Sequence, residues 1–226
     1  MKSFIILFFG PPGSGKSTQA ELVAAAYQAA HLDTGALLRR IFSDPLRQSD
    51  PKIQEERIKH EIQGQLNDSV WVAGLVIEEV RKFHAANKSI VSSGFPRTIF
   101  EAEIELPVFQ ELFSGRIFVV KLEVSESTTL SRNSNRRMCS SCGKIFSSLG
   151  GGGDHPALCS LCGGKLVVRP DDTLETIKHR LQVYQKQTLP LFAYFAEKNI
   201  REIVVDGEPA PDAVFDSIRS ALDGVL

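Results

Sequence analysis

The sequence predicts an α/β fold in which helices cover both faces of a parallel β-sheet. Short apolar runs rich in β-branched and aromatic residues alternate with helical patterns, as in other folds of this class. The runs that we interpret as buried strands cover 3–9, 90–91, 117–124 and 203–205. The 226 residues are enough for one large domain with insertions, and 42% hydrophobic with 23% charged residues is typical of globular chains.

The helical segments follow the strands in order. Residues 15–29 contain helix-forming residues directly after the first strand. A long helix is predicted after residue 171, and Pro190 should bend or interrupt it. The last helix should begin near Pro211 and end at Gly224, because proline suits the first turn and glycine the end of a helix.

Two stretches depart from this alternation and are interpreted as insertions into the α/β core. Residues 43–88 contain two or three helical patterns without a strand. Residues 138–170 contain all four cysteines and the glycine run 150–153, which is expected to be the tip of a loose hairpin.

Composition excludes several classes of function. The formal net charge of −1 excludes a broad cationic surface for nucleic acid or anionic lipid. The chain has no apolar run near the roughly 18 residues of a membrane span. The apolar run at 4–9 is too short for a signal peptide and lacks a cleavage site. Together with the clustered cysteines, this favours a cytoplasmic protein.

A glycine-rich loop follows the first strand and precedes the first helix. Its sequence fits G-x-x-x-x-G-K-[ST] completely, in the context that a phosphate-binding loop requires. Backbone N–H groups and the helix N-terminus would hold the phosphates of ATP, Lys16 would reach the β- and γ-phosphates, and Ser17 would take a Mg²⁺ position. The residues expected to contact ATP are Gly10, Pro11, Pro12, Gly13, Ser14, Gly15, Lys16, Ser17 and Thr18.

A second motif places an arginine at the carboxyl end of a strand, where ligands bind in open α/β sheets. It is Gly94-Phe-Pro-Arg-Thr98, and a Thr-Gly-Ala-Leu-Leu-Arg segment ends at Arg39. With the phosphate loop, the cysteine-bearing insertion, Arg169-Pro-Asp-Asp172 and Arg180, these motifs follow the order of the adenylate kinase family. The chain therefore resembles that family of nucleoside monophosphate kinases over nearly its whole length.

The resemblance implies a P-loop NTPase-like five-stranded parallel sheet with two inserts. Segments 1–33, 89–136 and 170–226 would form the core ATP-binding domain, 34–88 a helical insert for the acceptor monophosphate, and 137–169 a zinc-ribbon lid. The implied reaction moves the γ-phosphoryl of Mg-ATP reversibly to AMP and gives two ADP. A monomer is expected, without nucleic-acid or membrane partners.

The resemblance also implies roles for individual residues. Arg39 and Arg97 would hold the acceptor phosphate, while Arg132 and Arg136 would hold ATP and the migrating phosphoryl group. Phosphoryl transfer spreads negative charge over the phosphate oxygens, and bidentate guanidinium groups stabilise this charge well. No general base is expected, because the attacking phosphate oxygen of the acceptor is already anionic. The implied catalytic set is Lys16, Arg97, Arg132, Arg136, Arg169 and Arg180. The implied acceptor-binding set is Thr34, Arg39, Gln65, Leu66, Asn67, Gly94, Arg97, Glu101, Arg169 and Arg180.

Two C-x-x-C pairs, Cys139/Cys142 and Cys159/Cys162, are separated by sixteen residues. This spacing is typical of zinc ligands, and four thiolates make a closed, structural site. Two disulfides, four free thiols or a nucleic-acid-binding ribbon would also use such cysteines. His155 lies between the pairs and is expected to be a loop residue rather than a ligand.

Three positions around the expected magnesium site depart from the family pattern. Ser93 and Ala36 stand where aspartates are usual, and Ser17 stands where glycine is common. We hypothesise that Ser17 and Asp33 partly replace the missing carboxylates around Mg²⁺.

Glu101 stands where a glutamine usually reads adenine. An ionised carboxylate only accepts hydrogen bonds, so it suits guanine or cytosine better than the ring nitrogen of adenine. AMP is the first choice of acceptor, and GMP, CMP or UMP are the runners-up. Trp71 is expected to pack within the acceptor insert rather than to stack on a base.

Two hypotheses of a different kind compete with a nucleoside monophosphate kinase. The missing carboxylates could mark a catalytically weak nucleotide- and zinc-binding sensor protein. The phosphate loop could also belong to a kinase of a small metabolite, but the Phe-Pro-Arg-Thr segment argues against that reading.

Overall fold

The central sheet has five parallel strands, as the family resemblance implies. A computed structural model describes residues 3–63, 65–146, 157–168 and 172–226. Its strands in this sheet are β1 (Ile5–Phe9), β2 (Ala30–Asp33), β3 (Ile90–Ser93), β4 (Ile117–Glu123) and β8 (Arg201–Asp206). Their spatial order is β2-β3-β1-β4-β8, and every neighbouring pair is parallel.

The described helices are α1 (Lys16–Ala26), α2 (Thr34–Ser43), α3 (Pro51–Arg57), α4 (Ser69–Ala85), α5 (Ile99–Phe113), α6 (Glu126–Ser134), α7 (Leu174–Val183), α8 (Leu191–Glu197) and α9 (Pro211–Asp223). A π-helical turn at Tyr184–Thr188 and Pro190 separate α7 from α8, so the predicted interruption is confirmed. The predicted start of the last helix at Pro211 is also confirmed, and Gly224 caps its end.

Helices cover both faces of the sheet because the side chains of β1 alternate between two apolar cores. Ile5, Leu7 and Phe9 enter one core, which α4, α5 and α8 complete. Ile6 and Phe8 enter the other core, which α1 and α9 complete. All five side chains are buried, as expected for the central strand of a parallel sheet.

The first insertion contains α2, α3 and α4, which lie in sequence between β2 and β3. A second π-helical turn, Ile58–Ile62, extends α3. Trp71 stacks on Phe42 with ring centroids 6.3 Å apart, which confirms the prediction that it packs within this insertion.

The second insertion forms a small antiparallel sheet. Its strands are β5 (Arg137–Cys139), β6 (Ile145–Phe146) and β7 (Leu166–Val167), with β5 in the middle. The predicted hairpin tip at 150–153 and His155 lie outside the described residues. Of the helices that the structure describes, none combines the length and apolar character needed to cross a membrane.

Candidate active site

The glycine-rich loop joins β1 to α1 in a conformation that only glycines fit well. Gly13 and Gly15 have φ angles of +80° and +88°, and Gly15 is the N-cap of α1. A Cβ on Gly13 would lie 2.5 Å from Nδ2 of Asn133, so a larger residue would force this buried side chain to move. The loop therefore closes in front of the helix N-terminus, where backbone N–H groups attract anions.

Lys16 is the first residue of α1, and its Nζ donates a hydrogen bond to the carbonyl oxygen of Pro11 at 3.2 Å. Burial, followed by the nearby positive charges of Arg97 and Arg136, lowers the pKa of Lys16 to about 7, and Arg180 acts in the same direction. The structure thus brings four of the predicted catalytic cations together. Such a cluster repels itself until an anion binds between its members.

Asp33 connects the phosphate loop to the next two elements. Its Oδ2 accepts hydrogen bonds from Ser17 Oγ at 3.0 Å and from Ser93 Oγ at 2.8 Å, while Oδ1 accepts one from the N–H of Ala36 at 2.6 Å. Burial alone would raise the pKa of Asp33, but these hydrogen bonds keep it below its ordinary value. An ionised carboxylate between two hydroxyls is a donor set that suits Mg²⁺.

The predicted acceptor residues Thr34, Gly94 and Arg97 lie side by side. Arg97 Nε donates to the carbonyl oxygen of Gly94 at 2.9 Å, and a Cβ on Gly94 would lie 3.4 Å from both Arg97 Nη2 and Thr34 Cβ. Thr34 Oγ1 is buried without a hydrogen-bond partner among the described residues. Arg39 approaches from α2, with Nη2 4.0 Å from Asp33 Oδ1.

The segment of Gln65, Leu66 and Asn67 is held by a buried residue that the sequence analysis missed. Asn67 Nδ2 donates to Glu56 Oε2 at 2.9 Å, and the N–H of Asp68 donates to the same oxygen at 2.8 Å. Burial opposes ionisation of Glu56, but the hydrogen bonds from Asp68 and Asn67 lower its pKa to about 2. Asn67 therefore shapes the segment, while Gln65 is exposed.

Glu101 is 2% exposed and accepts two hydrogen bonds. Its Oε2 lies 2.6 Å from the backbone N of Arg97, and its Oε1 lies 3.0 Å from Ser69 Oγ. Burial raises the pKa of Glu101. One turn later, Glu105 is fully buried without a partner among the described residues, and burial followed by the charge of Glu101 raises its pKa well above the ordinary value.

The predicted ATP-side arginines are oriented by groups to which the sequence analysis assigned no role. Arg132 donates to the carbonyl oxygens of Gly207 at 2.8 Å and Glu208 at 2.9 Å. Arg136 donates two hydrogen bonds to the Asp172 carboxylate, and Arg180 Nη1 lies 3.6 Å from Asp172 Oδ1. Arg169, which also belongs to the predicted catalytic set, lies outside the described residues.

The four cysteines form one cluster in the small sheet. Their Sγ atoms all lie within 4.8 Å of one another, with 3.5 Å between Cys139 and Cys162 and 3.7 Å between Cys142 and Cys159. Four sulfurs at about 2.3 Å from a tetrahedral zinc ion would be about 3.8 Å apart, so the cluster fits this metal. All four thiols are free, which argues against two disulfides.

Backbone groups support this cluster. The N–H groups of Ser141 and Cys142 point at Cys139 Sγ from 3.4 and 3.5 Å, which favours the thiolate that a metal requires. A Cβ on Gly164 would lie 2.8 Å from the same sulfur and 2.5 Å from Ser141 Oγ. The backbone at Gly164 is therefore packed directly against a candidate zinc ligand.

An anion-binding loop between strand and helix, with guanidinium groups converging on it at the carboxyl edge of a parallel sheet, defines a phosphate-loop phosphotransferase. A family model described as adenylate kinase matches residues 8–200. The chain is 33% identical to an adenylate kinase of Clostridium tetani over 222 residues, which cover 97% of this chain and 99% of that protein. It is 35% identical to an adenylate kinase of Pelobacter propionicus over 221 residues, or 97% and 96% of the two chains. The chain belongs to the adenylate kinase family.

The predictions of family, fold class and enzyme class are thereby confirmed. A third relative, an adenylate kinase of Petrotoga mobilis, is 34% identical over 221 residues, or 95% of this chain and 97% of that protein. Nothing in these comparisons favours a sensor protein or a kinase for another acceptor.

Proposed function

We propose that the protein transfers the γ-phosphoryl group of Mg-ATP reversibly to AMP and so produces two ADP. The observation that carries this proposal is the convergence of Lys16 with Arg97, Arg136 and Arg180, each of which lowers the pKa of Lys16. Cations held close together stabilise a concentrated negative charge, such as that of a phosphoryl group that moves between two nucleotide sites. Membership of the adenylate kinase family supports the choice of ATP and AMP.

On the donor side, the phosphate loop binds the triphosphate and Lys16 reaches its terminal phosphates. Arg132 and Arg136 hold ATP and the migrating phosphoryl group, since the backbone of Gly207 and the carboxylate of Asp172 fix their orientations. The hydroxyl of Ser17 would hold Mg²⁺, which neutralises charge on the phosphates when bound. Segments 1–33, 89–136 and 170–226 form this ATP-binding core.

On the acceptor side, insert 34–88 and the Gly94–Thr98 motif bind AMP. Arg39 and Arg97 hold its phosphate, Thr34 lies near its base or sugar, and Glu101 reads its base. The attacking phosphate oxygen is already anionic, so no side chain needs to remove a proton from it. Catalysis then consists of positioning and charge stabilisation.

Segment 137–169 acts as a lid, and a structural zinc ion on the four cysteines gives this small segment the stability that its core lacks. Lid closure brings Arg169 and Arg180 over both phosphates and excludes water, which limits ATP hydrolysis. We expect a cytoplasmic monomer without nucleic-acid or membrane partners. Four thiols clustered as a metal site fit a reducing compartment.

The test is a coupled turnover assay with Mg-ATP and AMP, GMP, CMP or UMP in parallel. AMP should be the preferred acceptor, and Arg97→Ala should lower kcat about 10²–10³-fold, the usual effect of removing one group that stabilises transition-state charge. Arg81→Ala, an exposed arginine of α4, is the matched control and should leave kcat unchanged. A clear preference for another monophosphate would contradict the AMP assignment, and nucleotide binding without turnover would favour a sensor protein.

A further inference from the structure

Asp33 is the last residue of β2 and the N-cap of α2, so it lies between the two halves of the site. Its Oδ2 faces the phosphate loop and accepts a hydrogen bond from Ser17 Oγ at 3.0 Å. Its Oδ1 faces the acceptor side, where it caps α2 through the N–H of Ala36 and lies 4.0 Å from Arg39 Nη2. One carboxylate thus touches a predicted donor-side residue and the helix that carries a predicted acceptor-side arginine.

The strand register fixes the second hydroxyl of this group. Asp33 on β2 is paired with Ser93 on β3, and Ser93 Oγ donates to Asp33 Oδ2 at 2.8 Å. Because this hydroxyl has only one proton, His31 Nε2, 3.2 Å away, must donate to Ser93 Oγ. The hydrogen bonds therefore run in one direction, from His31 through Ser93 to Asp33, and end on an ionised carboxylate.

The surroundings of this carboxylate favour a hard cation held with phosphate. Its charge opposes the effect of the nearby arginines on Lys16, so it lies within electrostatic reach of the residue proposed to reach the terminal phosphates. Ser17, Asp33 and Ser93 offer only oxygen atoms, the ligands that Mg²⁺ and its bound waters prefer. Ser93, directly paired with Asp33 on the neighbouring strand, places its hydroxyl oxygen beside this carboxylate.

We propose that Asp33 is a positioning residue shared by the two halves of the site. With Ser17 it holds the hydrated Mg²⁺ that arrives with ATP, and as the N-cap of α2 it holds the helix that carries Arg39. Metal–nucleotide binding and acceptor binding are then coupled through one side chain. This inference rests on the proposed phosphoryl transfer from Mg-ATP.

The first test measures metal affinity without turnover. Mn²⁺ binding to the protein with a β,γ-imido analogue of ATP is followed by electron paramagnetic resonance. Asp33→Asn keeps an N-cap acceptor but removes the charge, and it should weaken Mn²⁺ binding about tenfold, a loss of about 1.4 kcal/mol. Asp50→Asn is the matched control, because Asp50 caps α3 in the same way through the N–H of Lys52. Parental Mn²⁺ affinity in Asp33→Asn would overturn the proposal.

The second test measures coupling between the two halves. In the parent, Mn²⁺ with the ATP analogue should tighten AMP binding by a factor of about 5–150, the usual range of such coupling. Asp33→Asn should bring that factor close to one, and a factor equal to the parent's would overturn the shared role. If Asp33→Asn does not fold, Ser17→Ala serves in the Mn²⁺ measurement, where parental affinity again contradicts the proposal.

The two proposals fail in different ways. A parent protein that turns over AMP while Asp33→Asn keeps parental Mn²⁺ affinity refutes the role of Asp33 alone. A parent that binds Mn²⁺ and the analogue but phosphorylates no monophosphate refutes the proposed function, and the Mn²⁺ comparison still decides whether Asp33 holds the metal.

Discussion

Glu101 Oε2 accepts a hydrogen bond from the backbone N–H of Arg97 over 2.6 Å. Glu101, proposed to read the acceptor base, therefore fixes the backbone of Arg97, which is proposed to hold the acceptor phosphate. A change of protonation at Glu101 would be felt at both ends of the bound monophosphate.

We expect AMP selectivity to depend on pH through Glu101. Burial raises the pKa of this carboxyl, so lowering the pH protonates it more readily than an ordinary glutamate. The neutral acid can donate and accept like an amide, which suits adenine. The ratio of kcat/KM for AMP to that for GMP should therefore rise as the pH is lowered toward the raised pKa of Glu101. Taking the ratio cancels the titration of the nucleotide phosphates.

In Glu101→Gln this ratio should be high and flat with pH, because the amide does not titrate. Glu103→Gln, an exposed position on the same helix, should keep the parental profile. A parental ratio that stays constant as the pH is lowered across the stable range of the protein would contradict this view of Glu101.

Nucleotide binding should take up a proton at Lys16. Burial and the adjacent arginines lower the pKa of Lys16 to about 7, so the empty site holds mostly neutral lysine at pH 8.5. A bound triphosphate stabilises the charged form and raises the pKa again. Calorimetry in two buffers of different ionisation enthalpy should show uptake approaching one proton at pH 8.5 and little at pH 6.

The control for this prediction is Lys16→Arg, whose guanidinium remains charged throughout, so its binding should show no such uptake. The lowered pKa of Lys16 also affects stability, because Lys16 binds its proton more tightly in the unfolded chain than in the folded protein. The contribution of Lys16 to the free energy of unfolding therefore rises with pH between about 7 and 10.5. Binding without proton uptake at pH 8.5 in the parent would refute the lowered pKa.

Asp172 should be essential for the arrangement of Arg136 and Arg180. Its side chain is fully buried between these two partners. Asp172→Asn removes the charge that compensates them, and breaking a buried ion pair typically costs about 3–5 kcal/mol. We expect a loss of that order in urea unfolding, together with a fall in kcat of at least about tenfold.

The matched control is Asp216→Asn, an exposed aspartate of α9, which should change the free energy of unfolding by less than about 0.5 kcal/mol. Parental stability and kcat in Asp172→Asn would show that the two arginines are oriented by other groups.

Gly164→Ala should weaken zinc retention. The new Cβ would lie 2.8 Å from Cys139 Sγ, so the backbone or the ligand must shift. Changes to groups that support metal ligands typically cost about 10–100-fold in affinity. Competition with a chromogenic chelator measures this, and Gly74→Ala, which would meet no atom within 4 Å, is the control. Equal zinc affinity in both variants would contradict the prediction.

The phosphate loop was predictable because its chemistry is local: one loop between a strand and a helix fixes the anion site. Strand β2 was not recognised from sequence, since of Ala30–Asp33 only Leu32 is a buried apolar residue. Its identity as a strand comes from pairing with β3, which is distant in sequence.

The buried acids Glu56 and Glu105 were missed, and Asp172 was named in a motif but given no role, for a related reason. Burial of a carboxylate depends on which helices and strands pack around it, and no local sequence pattern predicts this packing. The roles carried over by resemblance located the arginines but not the groups that orient them, because the motif that contains Asp172 does not show which arginines its carboxylate contacts.

Among the residues that the structure describes, an ion pair between Lys144 and Glu21 of α1 also links the small sheet that bears the cysteines to the core. Both side chains are substantially exposed, and pairs of this kind contribute only about 0–1 kcal/mol and weaken in salt. Because this contribution is close to thermal energy, the ion pair between Lys144 and Glu21 can break and re-form readily. If segment 137–169 acts as the proposed lid, this contact would add little to the barrier for product release, and higher ionic strength would lower that barrier further.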